Sequence, residues 1–139
     1  MMTNQEPQPQ PKIVENLISF DFDGTLDDDF DGTNNPIKEE IQSVCRDLIH
    51  RGKDVCIITK RYGPDSGMGE TDKVYKLAMD LGVKNIYFTD RELKDSKIKE
   101  LGIEMHFENS EYEARVIQFR NPKCVVVLVT DPCWKDLVF

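Results

Sequence analysis

Five short apolar runs punctuate the chain, and the stretches between them carry apolar residues at helical spacing. The first run, residues 13–22, ends in LISFDF and reads as a buried strand that stops at Asp21-Phe22-Asp23. Gly24 breaks it, and the polar stretch 27–35 is turn-rich. Pro36 then suits the first turn of a helix, with Asn34 or Asn35 as cap. Ile37, Ile41, Val44, Leu48 and Ile49 recur along that helix, and Gly52 ends it. Residues 54–59 (DVCIIT) form a second buried strand, followed by a loop over 60–70 with three glycines. Thr71 caps a helix carrying Val74, Leu77, Ala78 and Leu81, closed by Gly82. A third strand (85–89), a short helix (93–101), a fourth strand (103–107), a helix (111–119) and a fifth strand (123–130) complete the pattern.

Strands thus alternate with helices, and the strands are continuous apolar runs rather than alternating ones. That pattern predicts an α/β chain with a parallel sheet covered on both faces. Right-handed crossovers make it a Rossmann-like doubly wound sandwich around a central parallel sheet of about five strands. One domain over 13–139 is expected, preceded by a Gln/Pro-rich disordered tail over 1–12.

Composition narrows this little further. Hydrophobic residues at 39% and charged residues at 32% suit a soluble protein with one core. No apolar run approaches the roughly 20 residues of a membrane helix, and the first twelve residues lack the apolar centre of a secretory signal. The four cysteines form no C-x-x-C pair, which fits reduced, mostly buried thiols and a cytoplasmic setting. A net charge of −8 argues against broad contact with nucleic acid. It leaves a nucleotide or a strand end open as an end-group substrate.

The chemistry concentrates where the first strand ends. Ligands of open α/β sheets bind beyond the carboxyl ends of the strands. Asp21 and Asp23, two apart, point to one side there, so a cation is expected between the two carboxylates, and oxygen donors suit magnesium. Gly24 permits a sharp turn, and Thr25 brings a hydroxyl and an amide to the same point. One carboxylate can attack phosphorus, and the other can protonate the leaving oxygen and then activate water.

LISFDFDGTLDDD resembles the first motif of the haloacid dehalogenase-like (HAD) superfamily, a hydrophobic strand followed by D-x-D-G-T. The resemblance runs from about residue 17 to residue 130. It implies a Mg2+-dependent phosphatase working through an aspartyl-phosphate. Asp21 would be the nucleophile and Asp23 the acid/base, with its backbone carbonyl on the metal. DVCIIT matches the second motif and makes Thr59 a phosphate donor. The third motif is a lysine at the start of a helix; Lys94 is preferred and Lys97 comes second. The fourth motif, normally a pair of aspartates, is Glu108-Asn109 here. By position Asn109 is the direct ligand, while the longer Glu108 side chain can reach the metal itself.

Residues 24–54 and 89–94 leave no room for a cap domain, so the site is expected to be open. Capless relatives often act on large substrates, which makes a nucleotide, a nucleic acid end or a phosphoprotein the expected phosphorylated partner. Gly24, Thr25, Lys60 and Arg61 are the expected substrate contacts. Asp27, Asp29, Asp31 and Gly32 imitate the opening of a calcium loop, but its twelfth position holds Lys38, so a solvated acidic loop is the better reading. The competing function is a binding or regulatory module that keeps the fold without turnover, motivated by Glu108-Asn109.

Overall fold

All five apolar runs become strands of one parallel sheet in a computed structural model of the chain, which describes residues 9–139. The elements are β1 (Leu17–Phe20), α1 (Lys38–His50), β2 (Asp54–Thr59), α2 (Asp72–Leu81), β3 (Asn85–Phe88), α3 (Asp95–Leu101), β4 (Met105–Glu108), α4 (Glu111–Arg120) and β5 (Val125–Leu128). Short 3₁₀ turns lie at Pro64–Ser66 and Trp134–Leu137. The strand order is β3-β2-β1-β4-β5, and every neighbouring pair is parallel.

The continuous apolar runs arise because both faces of the sheet are covered. Ile18 and Phe20 of β1, Ile57 of β2 and Phe107 of β4 pack with Ile41, Val44 and Leu48 of α1 and Val74 of α2. The alternate strand residues Cys56 and Ile58 pack on the other face, with Ile98 of α3 and Ile117 of α4. The α/β, doubly wound arrangement is therefore as the periodicity predicts. The rings of Phe20 and Phe107 stack at 4.3 Å and tie β1 to β4.

The chain steps from β1 to β2 to β3 in one direction, then returns through α3 to β4 on the opposite side of β1. The carboxyl ends of β1 and β4 thus flank the point where the winding reverses, which is where open α/β sheets bind their ligands.

Some boundaries move. The strand expected over 13–22 pairs only across Leu17–Phe20, although Ile13 remains buried. Residues 1–8 of the expected tail lie outside the described residues. Its last two residues are anchored: Pro11 accepts a hydrogen bond from Arg51 Nη1, and the Lys12 N–H donates to the Val138 carbonyl at 2.7 Å. Trp134 and Val138, whose placement the pattern left open, close the core beneath α1. Among the described residues no cap domain interrupts the sandwich, and no helix is long and apolar enough to cross a membrane.

Candidate active site

Asp21 follows β1 directly, and its N–H donates to the Phe107 carbonyl at 2.9 Å, prolonging the pairing with β4. Its side chain is buried. One carboxylate oxygen lies 3.2 Å from Lys94 Nζ, and the other accepts from the Thr25 hydroxyl at 3.3 Å. The chain then turns tightly. The Thr25 and Asp27 N–H groups both donate to the Phe22 carbonyl, and the Gly24 N–H donates to that of Asp28. Gly24 adopts φ +74°, and a Cβ there would overlap the Asn109 side chain and the Asp29 carboxylate. The two residues expected to touch substrate thus have further duties. Gly24 makes room for Asn109, and fully buried Thr25 holds Asp21.

Lys94 stands immediately before α3 and is 2% exposed. Its ammonium meets three carboxylates: Asp21 at 3.2 Å, Glu108 at 3.1 Å and Glu113 at 2.7 Å. Its backbone N–H also donates to Glu113, at 3.0 Å. Lys97, the second candidate, lies away from this cluster, paired with Glu100 at 2.7 Å and set over the Tyr87 ring. Burial alone would lower the Lys94 pKa, but the charges of Asp21, Glu108 and Glu113 more than reverse this and raise it.

Glu113 is a site residue that sequence reasoning missed. Ser110-Glu-Tyr-Glu113 has the spacing of a capping box, in which the Glu at the third helical position folds back onto the cap N–H. Here the Ser110 hydroxyl does accept from the Glu113 N–H, at 3.2 Å. Glu108 takes the Ser110 N–H at 3.1 Å instead, which releases the Glu113 carboxylate to reach Lys94.

Glu108 correspondingly turns both carboxylate oxygens to protein donors. Its Oε1 accepts from Lys94 and from His106 Nε2 (2.9 Å), and its Oε2 accepts from Ser110. Burial alone would raise its pKa; the His106 hydrogen bond and the Lys94 charge outweigh that and lower it to about 2. His106 in turn faces the Ser19 hydroxyl through Nδ1 at 2.6 Å. Both contacts are satisfied when Nε2 donates to Glu108 and Nδ1 accepts from Ser19. Ser19 and His106 are direct partners in the β1–β4 register. Polar residues inside two otherwise apolar strands were the available signal for this buried chain.

Asp23 takes a different partner. Its two oxygens accept from Arg61 Nη2 at 2.7 Å and Nε at 2.9 Å, a bidentate fork, and Arg61 Nη1 donates to the Glu70 carbonyl. Arg61, expected as an anion contact, is thereby engaged, while Lys60 remains 38% exposed with its ammonium 3.9 Å from Glu113. Thr59 ends β2, fully buried, and its hydroxyl accepts from the Arg61 N–H at 3.3 Å. The two aspartates expected to share one cation thus each hold a side-chain cation of their own.

The cluster carries a surplus of negative charge. Asp21, Glu108 and Glu113 surround one ammonium, with Lys60 at the margin. Burial first, and then the Glu108 charge, push the Asp21 carboxyl well above the usual carboxylate range despite Lys94. Among the described residues no group of three or more His, Cys, Asp or Glu side chains is arranged to hold a metal ion. The oxygen donors that the sequence reading offers a cation here are the Asp21 carboxylate, the Asp23 backbone carbonyl and Asn109, whose side chain lies against Gly24.

No model of a known protein family matches this chain, and no curated protein matches it.

Proposed function

We propose that the protein is a magnesium-dependent phosphomonoesterase, a capless member of the HAD superfamily in which Asp21 is the nucleophile. One observation carries the reading. A buried carboxylate at the carboxyl end of the central strand is oriented through both oxygens, by Lys94 and Thr25, and Lys94 is held in turn by Glu113, which the half-buried Lys60 also approaches. A carboxylate held between an ammonium and a hydroxyl, both of which favour its ionised form, is what covalent phosphoryl chemistry uses.

Asp21 attacks phosphorus, forming the P–O bond to its carboxylate as the bond to the leaving oxygen breaks. Asp23 gives that oxygen a proton. It then accepts one from the water that hydrolyses the aspartyl-phosphate, releasing phosphate and restoring Asp21. Asp23 has to leave the Arg61 fork to do so. Lys94 offsets charge between nucleophile and phosphate. The Thr59 hydroxyl accepts from the Arg61 N–H and keeps its own hydrogen for a phosphate oxygen. Lys60 supplies a second donor from the loop that follows.

The surplus carboxylate charge and the all-oxygen donor set fit a hard divalent cation. Asp21, the Asp23 carbonyl and Asn109 would hold magnesium, with Glu108 left as the partner of Lys94. When bound, the ion supplies charge compensation between nucleophile and phosphate.

Purified protein should release phosphate from an aryl phosphate with magnesium, and Asp21→Asn should abolish this. Equal rates for the two proteins over a broad phosphate panel would refute the assignment. The second reading, a regulatory module without turnover, is favoured by the Arg61 fork that occupies Asp23. It requires beryllofluoride, an aspartyl-phosphate mimic, to bind weakly with magnesium; tight binding together with turnover rejects it.

A further inference from the structure

Next to the aspartate site lies a ladder of alternating rings and guanidinium planes that the proposed chemistry does not use. The Arg61 guanidinium carbon lies 5.1 Å from the Phe22 ring centre and 4.9 Å from that of Phe30. Arg91 lies 4.9 Å from Phe30 and 5.0 Å from Tyr62. Phe22 is fully buried, but Phe30 remains 55% exposed with both guanidinium groups beside it. A large ring held in place yet open to water is available to a ligand.

The backbone is strained to build this ladder. Asp90 and Arg91 are consecutive non-glycine residues at φ +53° and +70°. Loop contacts hold them there. The Arg91 N–H donates to the Lys60 carbonyl at 2.7 Å, and the Asp90 carboxylate accepts from the Gly63 N–H at 2.8 Å. The Arg91 guanidinium is fixed by Glu70 at 2.7 Å. This strained turn delivers the Arg91 side chain onto Phe30 and Tyr62, and its placement follows directly from that geometry.

We propose that Phe30, with Arg91 and Tyr62, is a stacking platform for the base of a mononucleotide whose phosphate sits at Asp21. The proposal rests on the phosphatase reading for the position of the phosphate, and it adds the class of substrate. Arg61 joins the two sites, because it grips Asp23 on one side and covers Phe30 on the other. In an aryl phosphate the ring is bonded directly to the phosphate oxygen, whereas a pentose carries its base several bonds further away, towards the Phe30 side of Arg61. Rings and planar cations stack on any base with little dependence on its identity. Asp27, Asp28, Asp29 and Asp31 flank Phe30 in the chain, and their charge disfavours a long polyanion, which favours a mononucleotide over a strand.

The test uses the full chain with magnesium and compares adenosine and thymidine 5′-monophosphates with ribose 5-phosphate and phosphotyrosine. Phosphate release gives kcat/KM, and calorimetry gives binding. Mononucleotides should exceed ribose 5-phosphate by about tenfold or more. Phe30→Ala should collapse that ratio towards one, and Phe30→Trp should preserve it. Hydrolysis of nucleotides and ribose 5-phosphate at equal efficiency, or a ratio that survives Phe30→Ala, overturns the platform while the phosphatase reading stands. Nucleotide-selective binding that depends on Phe30, without hydrolysis of any substrate, supports the platform and defeats the phosphatase reading. A Phe30-dependent preference for phosphotyrosine overturns the nucleotide assignment. Neither turnover nor selective binding overturns both.

Discussion

Replacing Lys94 with methionine removes the ammonium shared by Asp21, Glu108 and Glu113 and keeps most of the apolar stem. Lys94 is 2% exposed and lies 2.7 to 3.2 Å from the three carboxylates, so water cannot take its place. Deleting one partner of a buried ion pair costs about 3–5 kcal/mol, because the remaining charge stays uncompensated. For a chain of 139 residues, each kcal/mol moves Tm by about 3–5 °C. The variant should therefore melt roughly 10–20 °C below the wild type at pH 7. The Lys94 pKa is raised above its ordinary 10.5, so its contribution is fully present below 10.5 and is lost only as pH rises through the folded value. Glu108 titrates at the other end. Its pKa falls from 4.5 to about 2, so its contribution is present above 4.5 and disappears as pH drops towards 2. Without Lys94 the carboxylates take up protons more readily, and acid relieves their repulsion. The Tm gap should therefore narrow below about pH 4.5, reversing the loss seen at neutrality. Thermal unfolding followed by circular dichroism from pH 3 to pH 9 measures it. A drop under about 3 °C at pH 7, or a gap that does not change with pH, would refute Lys94 as the counter-charge of this cluster.

Glu113→Gln removes the carboxylate that holds both the backbone N–H and the ammonium of Lys94. It should lower kcat by up to about 10²-fold with little change in KM, since Glu113 positions Lys94 and does not touch substrate; an unchanged kcat in a phosphate-release assay removes that role. Gly24→Ala should cost about 1–2 kcal/mol for its left-handed backbone and should displace Asn109. The magnesium concentration for half-maximal rate should rise, and a titration that leaves it unchanged rules out Asn109 as a ligand.

Local pattern reached a long way in this chain. DVCIIT is bounded by a charged residue on one side and a basic loop on the other, and β2 spans Asp54–Thr59 as that pattern predicts. The alternation of strands with helices and the continuous apolar runs of the strands pointed to the parallel sandwich, because periodicity is a property of neighbouring residues. Asp21 and Thr59 were legible as ends of strands, and Lys94 as the start of a helix. The sequence preferred Lys94 to Lys97; Lys94 stands just before α3 and meets Asp21, whereas Lys97 lies within the helix and pairs with Glu100.

The partners of those residues were decided by tertiary structure alone. Lys94 meets Glu108 and Glu113 at separations of 14 and 19 residues, Arg61 meets Asp23 across 38, and Ser19 meets His106 across 87. No local spacing encodes such pairs. They exist because the winding brings β1 beside β4, and because buried polar groups must find partners there. The sequence by itself determined the layered fold and the end of the sheet where chemistry gathers. The tertiary structure decided that Glu108 serves Lys94, that Arg61 grips Asp23, and that Arg91 is carried onto Phe30. Each is a long side chain whose reach covers several partners, and the contacts made in the folded chain select among them.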